Sequence, residues 1–318
     1  MRWSDNGHLV DEGVEVIGKT WLWLAEKPRL QRAVTEGRIT RHAVNRFIAG
    51  DQLEDAIRAI KELNSRGIGG ILDLLGEGIS DLAGAQAAAD EYLASIKRIE
   101  ETGVDTSVSV KLTQLGLGFD KGACIDHLRR LAAEAEAIGT YVEIDMEQSD
   151  HVSDTIDVYR VLRTDFTRLR LAIQAYLRRT PLDLEGLAEV PPRVRLVKGA
   201  YSEPPELAFQ KRKEIDGQYR FITDWLFEKG SDPAIASHDT KLLMHARDKA
   251  VALGLGPESF EIQMLYGIRR ELQGELARQG HRVRVYVPFG SAWYPYLMRR
   301  IAERPANLKF FLRAVVRD

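Results

Sequence analysis

The stretch Val108–Gln114, VSVKLTQ, is a short β-branched run that ends in polar residues, and seven other segments repeat that arrangement. They begin at Ile71 (ILDLLGE), Tyr141 (YVEIDME), Leu169 (LRLAIQAYL), Val194 (VRLVKGAY), Ala234 (AIASHD), Phe260 (FEIQMLYG) and Val283 (VRVYVPFG). Successive starts from Ile71 onward lie 37, 33, 28, 25, 40, 26 and 23 residues apart, which suits one strand and one helix per unit. Amphipathic stretches such as Ile125–Ile138, Leu242–Leu253 and Tyr294–Glu303 fill the intervals. Eight units over the 248 residues from Ile71 to Asp318 predict an α/β fold, a (β/α)8 barrel of the TIM type. An open parallel sheet is the structural alternative. No G-x-G-x-x-G follows any run, which weakens a dinucleotide-binding form of that sheet.

Upstream of the first run, residues 1–65 read as an N-terminal helical segment, with the barrel domain over 66–318. Leu53, Ala56, Ile57, Ile60 and Leu63 fall at helical spacing, and Asp51 is the expected N-cap. The chain of 318 residues is 44% hydrophobic and 29% charged, values of a globular protein rather than a disordered one. Its 45 basic and 47 acidic residues give a net charge of −2, so nothing in the overall charge points to nucleic acid. The single cysteine, Cys124, rules out an internal disulfide and any four-cysteine zinc site. Met1–Asp11 lacks the apolar core of a secretory signal, and the run Trp21–Ala25 is too short to span a bilayer. A cytoplasmic location is expected.

Barrel active sites gather at the C-terminal ends of the strands. Those ends give Glu77, then Lys111 with Gln114, Asp145 with Glu147, and Gln174. They continue with Arg195, Lys198 and Tyr201, then His238 with Asp239, Gln263 with Tyr266, and Tyr286. A parallel strand covered on both faces should be almost wholly apolar, so Lys111 and Lys198 must be paired or stand at the mouth. Each alone reads as a strand end in solvent; eight polar ends together argue for a site. In the last helix Tyr296, Arg299, Arg300 and Glu303 share one face, and Leu297 and Ile301 mark another. That face reads either as a solvated stripe or as a clamp for a carboxylate or phosphate, which a guanidinium fork suits. His238 and His245 find no third partner at a zinc spacing, and neither H-E-x-x-H nor G-x-S-x-G occurs. No metal is expected.

Taken together, these segments resemble the proline dehydrogenase (proline oxidase) family. The carriers are DLLGE at 73–77, VKLTQLG at 110–116, IDMEQ at 144–148 and QAYLRRT at 174–180. RLVKGAY at 195–201, ASHD at 236–239, QMLYGIRREL at 263–272 and YVPFGSAWYPYLMRRIAERPAN at 286–307 follow in order. The resemblance implies a distorted (β/α)8 barrel that binds FAD and oxidises L-proline to Δ1-pyrroline-5-carboxylate by hydride transfer to flavin N5. It implies that Arg299, Arg300 and Lys111 hold the proline carboxylate, with Glu303 paired to the arginine face. Tyr286, Tyr296 and Leu265 would enclose the ring, and Asp145 would support the pocket. For FAD it implies contacts from Met146, Gln174, Arg195, Lys198, Gly199, Ala200, Tyr201, Ser237, His238 and Gln263.

The implied partners are a quinone acceptor and a separate pyrroline-5-carboxylate dehydrogenase, with the tail Phe310–Arg317 as the only stretch suited to touch a membrane surface. The bland reading of that tail is a terminal helix packed on the barrel. Phe289 and Ser237 depart from the family's usual tyrosine and threonine, which alters hydrogen bonding near the cofactor without removing a charge. Tyr296 favours proline over hydroxyproline, because a phenol would crowd a ring hydroxyl. Two rival readings remain open at this level: a Schiff-base lyase acting through Lys111 or Lys198, and a barrel that binds an anion through Arg299 and Arg300 without turnover.

Overall fold

The computed structural model describes residues 44–76 and 79–302, with backbone alone over 299–302. Eight strands close into a barrel in which each pairs in parallel with the next and β8 pairs with β1. They are β1 (Gly69–Leu74), β2 (Thr106–Val110), β3 (Val142–Ile144), β4 (Leu169–Gln174), β5 (Val194–Val197), β6 (Ala234–Ala236), β7 (Glu261–Leu265) and β8 (Arg282–Phe289). All eight runs read from the sequence are strands, and the open sheet is excluded by the β1–β8 pairing.

The helices are α1 (Leu53–Asn64), α2 (Leu82–Thr102), α3 (Lys121–Ala137), α4 (Ser149–Arg163), α5 (Thr180–Glu185), α6 (Arg212–Lys229), α7 (Thr240–Ala252), α8 (Arg270–Arg278) and α9 (Trp293–Ala302). Aspartates begin three of them. The side chains of Asp81, Asp120 and Asp239 accept from the first free backbone N–H groups of α2, α3 and α7, donors that no helical carbonyl reaches. At α1 the cap is Gln52 rather than Asp51; its N–H donates to Asp55 Oδ2 at 3.1 Å, half of a capping box.

Alternation along each strand divides its side chains. One set, including Val108, Val110, Val142, Ile144, Leu169, Leu171, Val194 and Leu196, is buried against the helices in one continuous core. The same core takes in Ala56, Ile57, Ile60 and Leu63 of α1, which packs on β1 and β8. There α1 fills the outer-ring place that a helix following β8 would occupy in a regular barrel. The helix that does follow β8 lies elsewhere. Tyr294, Tyr296, Leu297 and Met298 of α9 form a second cluster with Val44, Phe47, Ile48, Leu75 and Ile268, and Leu265 and Trp293 pack against it. Leu75 follows β1 and Leu265 ends β7, so α9 stands over the C-terminal mouth. Residues 1–43, Glu77, Glu303 and the tail Phe310–Arg317 lie outside the described residues.

Candidate active site

The inward set of side chains is rich in charged and polar groups. Glu143 of β3, Arg170 of β4, Arg195 of β5 and Glu261 of β7 are each at most 4% exposed. At the lower level Arg170 meets Glu261 at 2.7 Å and Asp232 at 2.8 Å, with Glu143 3.6 Å away. Arg284 adds Glu261 at 3.2 Å and Asp105 at 2.9 Å. At the middle level Glu143 Oε2 accepts from Arg195 Nε and Nη2 at 3.0 and 2.6 Å and from Gln263 at 2.9 Å. Its Oε1 accepts from the Ser107 hydroxyl at 2.6 Å.

The mouth is built on top of this lattice. Arg195 Nη1 donates to Asp145 Oδ1 at 2.5 Å, where Ser109 also donates at 2.8 Å. Asp145 Oδ2 accepts from Lys111 Nζ at 3.0 Å and from the Tyr286 hydroxyl at 2.7 Å. Lys111 Nζ also donates to Asp73 Oδ1 at 3.0 Å, while the buried Oδ2 of Asp73 has no partner. Two carboxylates thus share one ammonium. Burial works against the ionised form of both; Lys111 and Arg195 outweigh it at Asp145 and hold its pKa at about 2. At Asp73 burial prevails, and its carboxyl stays above the ordinary range despite Lys111. Burial also opposes the Lys111 charge, but Asp73, Tyr286 and Asp145 together raise its pKa well above the usual value. A lysine so held stays charged and is poorly suited to act as a neutral amine nucleophile.

Other residues singled out from the sequence take different places. Arg195, Gln263 and Tyr286 lie within their strands, not at the ends as the strand-end reading had them. They are tolerated there because they pair across the lumen and, in Tyr286, because the ring lies under the Arg195 guanidinium at 5.4 Å. Gln174, 2% exposed, donates to the Glu147 carbonyl at 3.0 Å. Glu147 itself turns to Thr113, accepting from its N–H at 3.1 Å and hydroxyl at 2.6 Å, so it does not join Asp145 in an acid pair. Met146 is buried in the outer core.

Lys198 leans to the rim, where it pairs with Asp216 of α6 and with Asp239 at 3.5 Å. The Ser237 hydroxyl accepts from the Asp239 N–H at 3.0 Å, and His238 Nε2 accepts from the Leu265 N–H at 2.9 Å. That bond assigns the ring proton of neutral His238 to Nδ1. Gly199 has φ +129°, and a Cβ there would lie 2.2 Å from the Tyr176 ring, whose buried hydroxyl lacks a partner. Ala200 is exposed and Tyr201 half-buried. Tyr296 is buried beside Leu265 and is not part of a solvated stripe. Arg299 and Arg300 follow it on α9, over the mouth.

Sequence reading missed Asp73, Glu143, Arg170, Glu261 and Arg284. The signal was present as charged or amide side chains at alternate positions in and just after β3, and in β7 and β8 (Glu143 and Asp145, Glu261 and Gln263, Arg282 and Arg284). A wholly apolar expectation for parallel strands hid it. Among the described residues no cluster of histidine, cysteine, aspartate and glutamate is arranged to hold a metal, and no helix is long and apolar enough to cross a membrane.

A closed parallel barrel with cations and carboxylates gathered at its C-terminal mouth defines a (β/α)8 scaffold, the class whose active sites lie at that mouth. The proline dehydrogenase family profile matches residues 56–313. Proline dehydrogenase 1 of Bacillus subtilis subsp. natto is 38% identical over 87% of this chain and 92% of its own length. Proline dehydrogenase of Deinococcus radiodurans is 36% identical over 95% and 99%. A crystal structure of proline utilization A from Bdellovibrio bacteriovorus, inactivated by N-propargylglycine, superposes with a TM-score of 0.79 at 24% identity. It is matched over 91% of this chain and 37% of that one, and shows the shared fold. The chain belongs to the proline dehydrogenase family, a family of oxidoreductases.

Proposed function

We propose that this protein oxidises L-proline to Δ1-pyrroline-5-carboxylate at the barrel mouth. Lys111 carries the reading: a lysine kept charged by two carboxylates, beneath a helix that brings Arg299 and Arg300, suits capture of a small carboxylate. Two arginines and a lysine on one carboxylate would fix the ring's position, and orientation is a large term in such chemistry. Tyr286, Tyr296 and Leu265 would wall the apolar ring methylenes. The cationic anchors would disfavour a protonated substrate amine, and the amine must be neutral when the adjacent C–H bond releases its hydride.

FAD, when bound, would accept that hydride. The residues at the ends of β4 to β7 suit such a group: Gly199 gives room for the Tyr176 ring to pack on its backbone, and Tyr176 carries an unsatisfied buried hydroxyl. Gln174, Arg195, Lys198, Gly199, Ala200, Tyr201, Ser237, His238, Gln263 and Met146 would hold it, with electrons passing onward to a quinone. The product would go to a separate pyrroline-5-carboxylate dehydrogenase. The tail Phe310–Arg317 supplies the surface for a peripheral contact with the inner face of a membrane.

The visible spectrum of the purified protein, before and after anaerobic L-proline, tests this. A flavin band that bleaches with L-proline but not with D-proline is the expected result. A flavin band unmoved by proline removes the substrate, and a colourless protein that FAD does not activate removes the cofactor as well.

A further inference from the structure

We propose that Glu143, which stands a level below the mouth and touches none of the groups expected to meet substrate, is a positioning residue for carboxylate capture. The inference rests on the functional reading above, in which Lys111 holds the substrate carboxylate.

Glu143 is 1% exposed and engages the Nε/Nη2 edge of Arg195 through Oε2, at 3.0 and 2.6 Å. That leaves Arg195 Nη1 to meet Asp145 Oδ1 at 2.5 Å. Asp145, fixed from below, turns its other oxygen to Lys111 Nζ at 3.0 Å and the Tyr286 hydroxyl at 2.7 Å. Glu143 therefore sets the aim of Lys111 and Tyr286 through two intervening side chains.

Its surroundings are those of a carboxylate. Arg195, Gln263 and Ser107 all donate to it, and Arg170 Nη1 lies 3.6 Å from Oε1. A glutamine there can turn its carbonyl to Arg195 and Gln263 and its NH2 to the Ser107 hydroxyl, which can accept, but it brings no charge to set against Arg195. Arg195, deprived of one carboxylate, would be drawn onto Asp145, and Asp145 would loosen its hold on Lys111 and Tyr286.

Glu261 provides a matched control. It is equally buried and carries the same charge, and it pairs with Arg170 at 2.7 Å, Arg284 at 3.2 Å and Gln263 at 2.7 Å. Its hydrogen bonds do not reach Arg195, Asp145 or Lys111. A purely structural role predicts the same kinetic outcome for both glutamates.

The test compares KM and kcat for L-proline, alongside thermal melting, in the unmutated full chain and in Glu143→Gln, Glu261→Gln and Ser107→Ala. With FAD held saturating, because Arg195 and Gln263 are also assigned to the cofactor, Glu143→Gln is expected to raise KM about tenfold or more, with kcat within about threefold, as loss of ground-state anchoring requires. Glu261→Gln should lower the melting temperature at least as much while KM stays within about twofold. Ser107→Ala, which removes one donor and keeps the charge, should raise KM about threefold. Equal KM changes in the two glutamine variants, or an unchanged KM in folded Glu143→Gln, overturn the proposal. Should neither glutamine variant fold, an unchanged KM in Ser107→Ala overturns it. An unmutated chain that fails to oxidise proline overturns the functional reading itself, and is told apart because no variant is needed to see it.

Discussion

In the lower half of the barrel, carboxylates close around guanidinium groups: Arg170 lies between Glu261 and Asp232, and Arg284 between Glu261 and Asp105. In the upper half Asp73 has, among the described residues, the Lys111 ammonium alone, shares it with Asp145, and keeps one carboxylate oxygen unpaired. The lower half draws on β4, β7 and β8, the upper on β1, β8 and the residues that follow β2 and β3. At the centre of the lower one Arg170 and Glu261 are sealed from solvent, so their pairing holds the barrel in shape. The upper one keeps Lys111 22% exposed at its side chain, and a cation there can exchange a protein partner for a ligand. Charge in a barrel lumen is thus structural or functional according to whether its partners are all internal.

The sharpest way to break this contrast is to remove a cation from each half. Arg170→Met should cost about 3–5 kcal/mol of stability, because Glu261, Glu143 and Asp232 would keep buried charge without their counter-ion; chemical denaturation measures it, and a loss under about 1 kcal/mol would deny the lower half its structural role. Lys111→Met should act mainly on catalysis, lowering kcat/KM for L-proline about a hundredfold, about 2.7 kcal/mol. Equal activity loss in folded Arg170→Met would erase the division between the halves.

Acid titration sharpens the comparison inside the mouth. The folded pKa of Asp145, about 2, lies below the ordinary value of about 3.9. Its contribution of about 2–3 kcal/mol is therefore present above pH ~4 and lost as pH falls through ~2. Asp73 has the opposite sign: its folded pKa is raised, so its contribution is present at low pH and lost as pH rises through that raised value. Urea midpoints between about pH 2 and 6 should show a shallower acid limb in Asp145→Asn and a steeper one in Asp73→Asn. Limbs of equal slope in the two variants would mean the carboxylates are not differentiated.

The smallest effect is expected at the rim. Gly199→Ala should cost about 1–2 kcal/mol through its backbone conformation and the approach to Tyr176. It should also lower the flavin-to-protein ratio after purification. Full flavin content with unchanged melting would remove Gly199 from the cofactor cradle.

Much of this molecule is written locally. Eight β-branched runs at strand-plus-helix spacing, with aspartates such as Asp120 and Asp239 before the helical stretches, determine the elements and the barrel class, because periodicity and capping act over a few residues. The order of the motifs determines the family. Lys111, Asp145 and Tyr286 were legible as polar groups in apolar runs, and they do meet. Their partners were not legible. Glu143 and Arg195 are 52 residues apart, and Arg170 and Glu261 are 91 apart; only closure of the sheet brings such pairs across one lumen. Closure likewise decides that α1 fills the ring between β8 and β1 while α9 caps the mouth, since both helices are amphipathic and their sequences leave open which apolar surface each will cover. The split between Asp73 and Asp145 belongs to the tertiary structure for the same reason: two identical carboxyl groups acquire opposite pKa shifts from burial and from distance to Lys111 and Arg195, quantities that exist only once the chain has folded.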